Sequence, residues 1–169
     1  MHILMCNDDG ILADGLRHLA SYLSQYYRIT VVAPANEQSA KSHALTTEVP
    51  LKLDAYNGED ENPRLYALTG TPSDCMKFGL SYLLTDDMPD LVISGINHGF
   101  NLGSDVLYSG TVSAAMESCF YGIPGLALSV ERYSAERGAE MHPFIHELID
   151  KIYVKGQFSG LLRSEERRV

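Results

Sequence analysis

Residues 3–10 read Ile-Leu-Met-Cys-Asn-Asp-Asp-Gly. An apolar run stops abruptly at Asn7-Asp8-Asp9-Gly10, and Leu16, Leu19, Ala20 and Leu23 then recur at helical spacing. A buried strand, a polar turn and an amphipathic helix, in that order, open a βαβ unit. Open α/β sheets hold their ligands beyond the C-terminal ends of the strands, which is where Asp8 and Asp9 fall. Two adjacent carboxylates repel one another unless a proton or a cation intervenes, so the pair suggests a divalent metal. Taken alone, Asp-Gly is more often a simple turn dipeptide. The rest of the chain has to decide between the two.

The pattern continues outward from that start. Ile29–Ala33 reads as a second strand closed by Pro34, and the intervening helix makes it parallel to the first. Thr46–Leu53 and Arg64–Leu68 read as a hairpin excursion at the sheet edge around an acidic Gly- and Pro-containing connector. A helix begins at Pro72 or Ser73, with Ser73 or Thr71 as cap. Leu91–Ile93 is the next strand and Thr111–Tyr121 a helix of small residues. Leu126–Val130 is a further strand and Glu140–Tyr153 the last helix. The expected architecture is a single α/β domain over residues 1–169, Rossmann-like and doubly wound, with a mainly parallel sheet flanked by helices.

Composition narrows the function. At 169 residues, with 45% apolar and 21% charged residues, the chain can bury a real core. A formal net charge of −9 argues against a nucleic-acid polymer as partner, because there is no basic stripe to neutralise phosphates. No apolar stretch approaches the roughly 20 residues of a membrane span, and no signal-peptide pattern opens the chain. Cys6, Cys75 and Cys119 are few, odd in number and widely spaced, as expected for reduced thiols in a cytoplasmic protein.

Three loops at the expected strand ends carry the polar chemistry. The first holds Asn7, Asp8 and Asp9, and the second Asn36, Gln38, Ser39, Ser42 and His43. The third holds Asn97, His98, Asn101 and Asp105 and runs to Ser109-Gly110-Thr111. Oxygen donors without a Cys/His cluster favour Mg²⁺, Mn²⁺ or Ca²⁺ over zinc. Ser109-Gly110-Thr111 opens a helix, where free N–H groups and the helix dipole suit a phosphate, although plain N-capping explains the same residues. His43 and His98 are candidate acid, base or phosphate donors. Gly70–Asp74 reads as a turn and cap, and Asp86-Asp87 as a solvated turn. His142 and His146 read as parts of a surface helix, and His18 as a surface or packing residue.

In these residues the chain resembles the survival protein E family of metal-dependent nucleotidases. The resemblance is carried by Asn7-Asp8-Asp9-Gly10 and by Val32-Ala33-Pro34 followed by Glu37-Gln38-Ser39 and Ser42-His43. It continues through Gly70-Thr71-Pro72, Pro89–Gly99, and Asn101–Gly103 with Tyr108–Ala115, all in family order. It implies a Rossmann-like phosphatase that uses one divalent cation and acts on nucleoside 5′- and 3′-monophosphates, and in some members on short polyphosphate. By position it implies Asp8, Asp9, Ser39 and Asn97 as metal ligands and Ser109, Gly110 and Thr111, with Asn101 nearby, as the phosphate site. Ala40 stands where the family often has glycine, and alanine fits there if the local φ is negative. Residues 155–169 depart from the family pattern and read as a truncated or altered tail, so a homodimer is expected in place of an arm-exchanged tetramer.

The expected chemistry is phosphomonoester hydrolysis, with Asp8 anchoring the cation and Asp9 orienting or deprotonating water. Attack by an aspartate is the rival route. A non-catalytic nucleotide- or phosphate-binding module, or an inactive form acting through subunit contact, would use the same fold.

Overall fold

The computed structural model describes residues 1–58, 60–151 and 162–167. Within it, β1 (His2–Cys6) is followed by α1 (Asp14–Leu23) and β2 (Arg28–Pro34), then by β3 (Leu53–Ala55) and β4 (Arg64–Leu68). Next come α2 (Pro72–Phe78), which runs on into a π-helical turn at Gly79–Leu83, and β5 (Leu91–His98). A 3₁₀ turn at Gly103–Leu107 leads to α3 (Gly110–Cys119), β6 (Gly125–Val130), α4 (Ala135–Ile149) and β7 (Leu162–Arg167).

The seven strands form one sheet in the order β3-β4-β2-β1-β5-β6-β7, parallel throughout except for β3. From central β1 the chain winds to one side through β2 and β4. It returns to β5 on the other flank of β1 and continues outward through β6 and β7. The strand order therefore reverses between β1 and β5, and a crevice opens above their C-terminal ends. Residues 7–9 leave β1 at that crevice, and Asn97 and His98 end β5 there.

Two cores cover the two faces, as side-chain alternation along β1 requires. Ile3 and Met5 join Leu16, Leu19 and Leu23 of α1 and Met141, Ile145 and Ile149 of α4. Leu4 and Cys6 join Cys75 and Met76 of α2, with Leu80, Val92 and Ala114. Each aliphatic side chain so buried contributes about 1.5–3 kcal/mol.

The structure departs from the sequence expectation at four places. The expected hairpin shrinks to a three-residue β3 against β4, and β4 itself pairs in parallel with β2 and so belongs to the main sheet. Helix α4 starts at Ala135, capped by Ser134, whose hydroxyl accepts from the Arg137 N–H. Pro143 lies inside that helix. His142 is buried rather than superficial, packed on the Tyr22 ring with a 5.3 Å centroid distance. Finally, the atypical tail supplies β7, which pairs with β6 over six residues. Arg163-Ser164-Glu165-Glu166 shows no apolar alternation because an edge strand keeps one side in solvent. Residues 152–161 and 168–169 of that tail lie outside the described residues. Among the described residues, no helix is long and apolar enough to cross a membrane.

Candidate active site

The turn after β1 is built by Asn7. Its side chain accepts from the Gly10 N–H at 3.1 Å and donates to the Gly10 carbonyl at 3.0 Å. Gly10 closes the turn at φ +102°, which side-chain-bearing residues rarely adopt. This turn, with Asn7 and Asp8 buried, presents Asp8 and the partly exposed Asp9 at the crevice. The second loop is tied to the first by the Gln38 N–H donating to the Asp8 carbonyl at 2.7 Å. It is tied to the third by Ser42, whose N–H donates to the Tyr108 carbonyl at 3.1 Å and whose hydroxyl donates to the Leu107 carbonyl at 2.8 Å. Backbone bonds thus lace the three loops into one rim.

The rim encloses a cleft of about 580 Å³ whose wall includes Asp8, Asp9, Ser39, Asn97, Asn101 and Ser109. Glu37, His98, Phe100, Asp105 and Tyr108 also line it. Ser109 caps α3, its Oγ accepting from the Val112 N–H at 3.1 Å. Gly110 lets that helix start press against Asp8, since a Cβ at position 110 would lie 2.9 Å from the Asp8 Cβ. The Thr111 hydroxyl is spent on Asp8, donating to Oδ1 at 2.6 Å.

Two of the residues expected at the site have other work. His43 lies outside the cleft: its Nε2 sits 2.6 Å from the buried Glu117 carboxylate, beside Lys77 and Phe120 in a separate depression. Its place in the second loop is correct in sequence, but the loop turns it away toward α3. Thr111 faces Asp8 instead of open cleft. The condition for an easy alanine at position 40 is not met: Ala40 stands at φ +57°, with Ser42 at +54°. Glu37 was not singled out as a site residue. Its signal was its position two residues before Ser39, whose hydroxyl donates to it at 2.7 Å.

The electrostatics of the cleft are those of a crowded anion site. Burial pushes the Asp8 carboxyl above its ordinary range against the Thr111 hydrogen bond. Burial first, then the charges of Asp8 and Glu37, push the Asp9 carboxyl up to about 6, with His98 partly offsetting them. A bound cation would relieve that crowding.

The donor set fits a hard divalent cation. Three of the four candidate ligands have one atom engaged by the protein: Asp8 Oδ1 by Thr111, the Ser39 proton by Glu37, and the Asn97 amide nitrogen by the Gly99 carbonyl at 2.8 Å. What Asn97 and Ser39 then have to offer is oxygen lone pairs. Among the described residues no group of three or more His, Cys, Asp or Glu side chains is arranged to hold a metal. The candidate set is the Asp8 and Asp9 carboxylates supplemented by the neutral oxygens of Ser39 and Asn97, with Glu37 and Asp105 also on the cleft wall.

The remaining loaded segments are structural. Asp74 completes a capping box with Thr71 and also binds the Thr46 N–H and hydroxyl. Asp87 pairs with Arg28 and sits 3.6 Å from the His2 ring nitrogen. Cys6 and Cys75 are buried in the core.

Comparison with known proteins agrees with this architecture. The family model described as Survival protein SurE matches residues 3–165. A Thermoanaerobacter sp. (strain X514) protein named 5′-nucleotidase SurE is 49% identical over 156 residues, covering 92% of this chain and 61% of that protein. A Vibrio vulnificus (strain YJ016) protein of the same name is 50% identical over 130 residues, covering 77% of this chain and 49% of that protein. The crystal structure of the Sure protein from Aquifex aeolicus superposes with a TM-score of 0.83 at 34% identity, covering 98% of this chain and 66% of that one. The chain thus spans about three fifths of the length of the first of these relatives.

Proposed function

The chain belongs to the survival protein SurE family, and on that premise we propose that it is a divalent-metal-dependent phosphomonoesterase acting on nucleoside 5′-monophosphates. The observation that carries the reading is the convergence of Asp8, Asp9, Ser39 and Asn97 with the start of α3 in one cleft. A pure phosphate receptor gains nothing from two carboxylates beside an anionic ligand. The relatives' printed name, 5′-nucleotidase SurE, supports the same substrate class.

Asp8, Asp9, Ser39 and Asn97 would hold one Mg²⁺ or Mn²⁺. When bound, such a cation offsets phosphoryl charge and lowers the pKa of an attacking water. The protein does the rest. Ser109 and the Gly110 N–H at the start of α3, with Asn101 across the cleft, receive the phosphoryl oxygens and stabilise charge developing on them. Asp9, partly exposed on the cleft wall, orients the water and accepts its proton, while Asp8 stays anchored by Thr111. Water adds to phosphorus, the ester P–O bond breaks, and the nucleoside leaves with a proton. His98, exposed at the mouth beside Asp9, is placed to supply that proton. Because these contacts address only the phosphoryl group, 3′-monophosphates and the terminal phosphate of short polyphosphate are further substrates of the same clamp.

The test is phosphate release from AMP by the purified protein, first in EDTA and then with Mn²⁺ or Mg²⁺ restored. Release that depends on the metal is the expected result. Nucleotide binding without release under any condition would reduce the protein to a binding module and overturn the enzymatic reading.

A further inference from the structure

We propose that Glu37 is a positioning residue for the metal site: by accepting the Ser39 proton it turns the Ser39 hydroxyl into a lone-pair donor. A serine hydroxyl has one proton and two acceptor lone pairs, and its proton is free to rotate. Next to a cation, a proton pointing inward repels it and removes a ligand. Ser39 Oγ donates to Glu37 Oε1 at 2.7 Å, which turns the proton away from that role. The two residues share the cleft wall with Asp8 and Asp9. Between them the Gln38 N–H is clamped to the Asp8 carbonyl at 2.7 Å, so the short Glu37–Ser39 segment is held in register with the first loop.

The same arrangement recurs around the cleft. Thr111 fixes Asp8 from one side, and the Gly99 carbonyl fixes the Asn97 amide from another. Glu37 gives Ser39 the equivalent support, of the kind that orients ligands from outside the coordination sphere. A carboxylate serves better than a neutral acceptor because the charge-assisted bond is shorter and stronger. It also adds negative potential at the mouth, so positioning and charge have to be separated by experiment.

This inference rests on the metal-dependent reading above, and Mn²⁺ affinity measured by titration calorimetry on the otherwise unmodified chain tests it apart from turnover. Glu37→Gln keeps an oxygen acceptor for Ser39 and loses the charge; Glu37→Ala loses both. The expected result is Mn²⁺ affinity within about threefold of wild type for E37Q and weaker by about tenfold or more for E37A. A double variant of Glu37→Ala with Ser39→Ala should bind within about threefold of S39A alone, the residual charge effect, since Glu37 then has nothing to orient. Wild-type affinity in E37A, equal losses in E37Q and E37A, or additive losses in the double variant would each overturn the positioning role. If the wild-type chain binds no Mn²⁺ and releases no phosphate, the metal reading falls and this inference with it. If it binds Mn²⁺ and E37A does so equally, only the role of Glu37 falls.

Discussion

Thr111 and Asp8, 103 residues apart, are joined by a 2.6 Å hydrogen bond in which the hydroxyl donates to Oδ1. The bond lies in a buried environment, and both residues are almost inaccessible. It connects the start of α3 to the end of β1 and so fixes that helix relative to the Asp8 carboxylate, the two being parts of the proposed phosphate and metal sites. Thr111→Val keeps the shape and removes the donor. Its expected effect is a loss of about 10- to 100-fold in Mn²⁺ affinity and about 1–3 kcal/mol in stability, because a buried acceptor loses its partner. Thr111→Ser restores the hydroxyl and should recover most of both. Calorimetric titration and urea unfolding of the two variants check this.

Asp9 carries opposite demands for stability and for chemistry. Burial and the neighbouring Asp8 and Glu37 charges disfavour its ionised form, which is why its carboxyl is pushed up to about 6. Asp9→Asn removes that conflict and is expected to raise the Tm of the metal-free protein. The same change deletes both a proposed metal ligand and the proposed proton acceptor, so metal-dependent turnover of AMP should fall by about 100-fold or more. Thermal unfolding in EDTA and steady-state kinetics in Mn²⁺ give the two readings. Substantial residual metal-dependent turnover would remove Asp9 from the mechanism.

Ala40 occupies the left-handed region at φ +57° next to Ser39. An L-residue there is disfavoured by about 1–2 kcal/mol, whereas glycine adopts it freely at the cost of greater freedom in the unfolded chain. Ala40→Gly should therefore stabilise the protein by up to about 1 kcal/mol. Its side chain is exposed, so no packing is lost. A midpoint shift in urea unfolding at unchanged slope checks the sign.

The legible parts of this chain were those whose chemistry is local. Ile3–Cys6 followed by Asn7-Asp8-Asp9-Gly10 announces a buried strand and a polar turn at the sheet's C-terminal edge. Thr71 and Ser109 announce helix starts because their hydroxyls cap residues three positions on. Ser39 and Asn97, both on the cleft wall, are picked out only by the family resemblance, since candidate hydroxyl and amide ligands have no spacing rule of their own. What local pattern could not supply depends on distant partners. His43 finds Glu117 across 74 residues, and Thr111 finds Asp8 across 103. Edge position hid β7: a strand with one side in solvent can be as polar as Arg163–Glu166 and still complete six register pairs. The positive φ at Ala40 is imposed by the loop closure around it, against the preference of the residue itself.

His142 links the α1–α4 contact to pH. It is 7% exposed, its Nε2 has no hydrogen-bond partner among the described residues, and it packs on Tyr22. Tyr133, whose hydroxyl contacts the His18 ring nitrogen at 3.0 Å, stands close by. Burial, reinforced by the nearby His18, lowers the His142 pKa to about 4. A histidine whose folded pKa lies below its unfolded value of about 6.5 is protonated first in the unfolded chain. Its contribution is fully present above pH 6.5 and is lost as pH falls toward 4, by about 1–3 kcal/mol. His2 is shifted the same way, while Asp8 and Asp9 are shifted upward and act in the opposite sense. A difference measurement isolates His142 from them: His142→Phe should flatten the fall in urea-unfolding stability between pH 6.5 and 4.5 relative to wild type. Parallel curves for the two proteins would mean that His142 already carries a proton in the folded state.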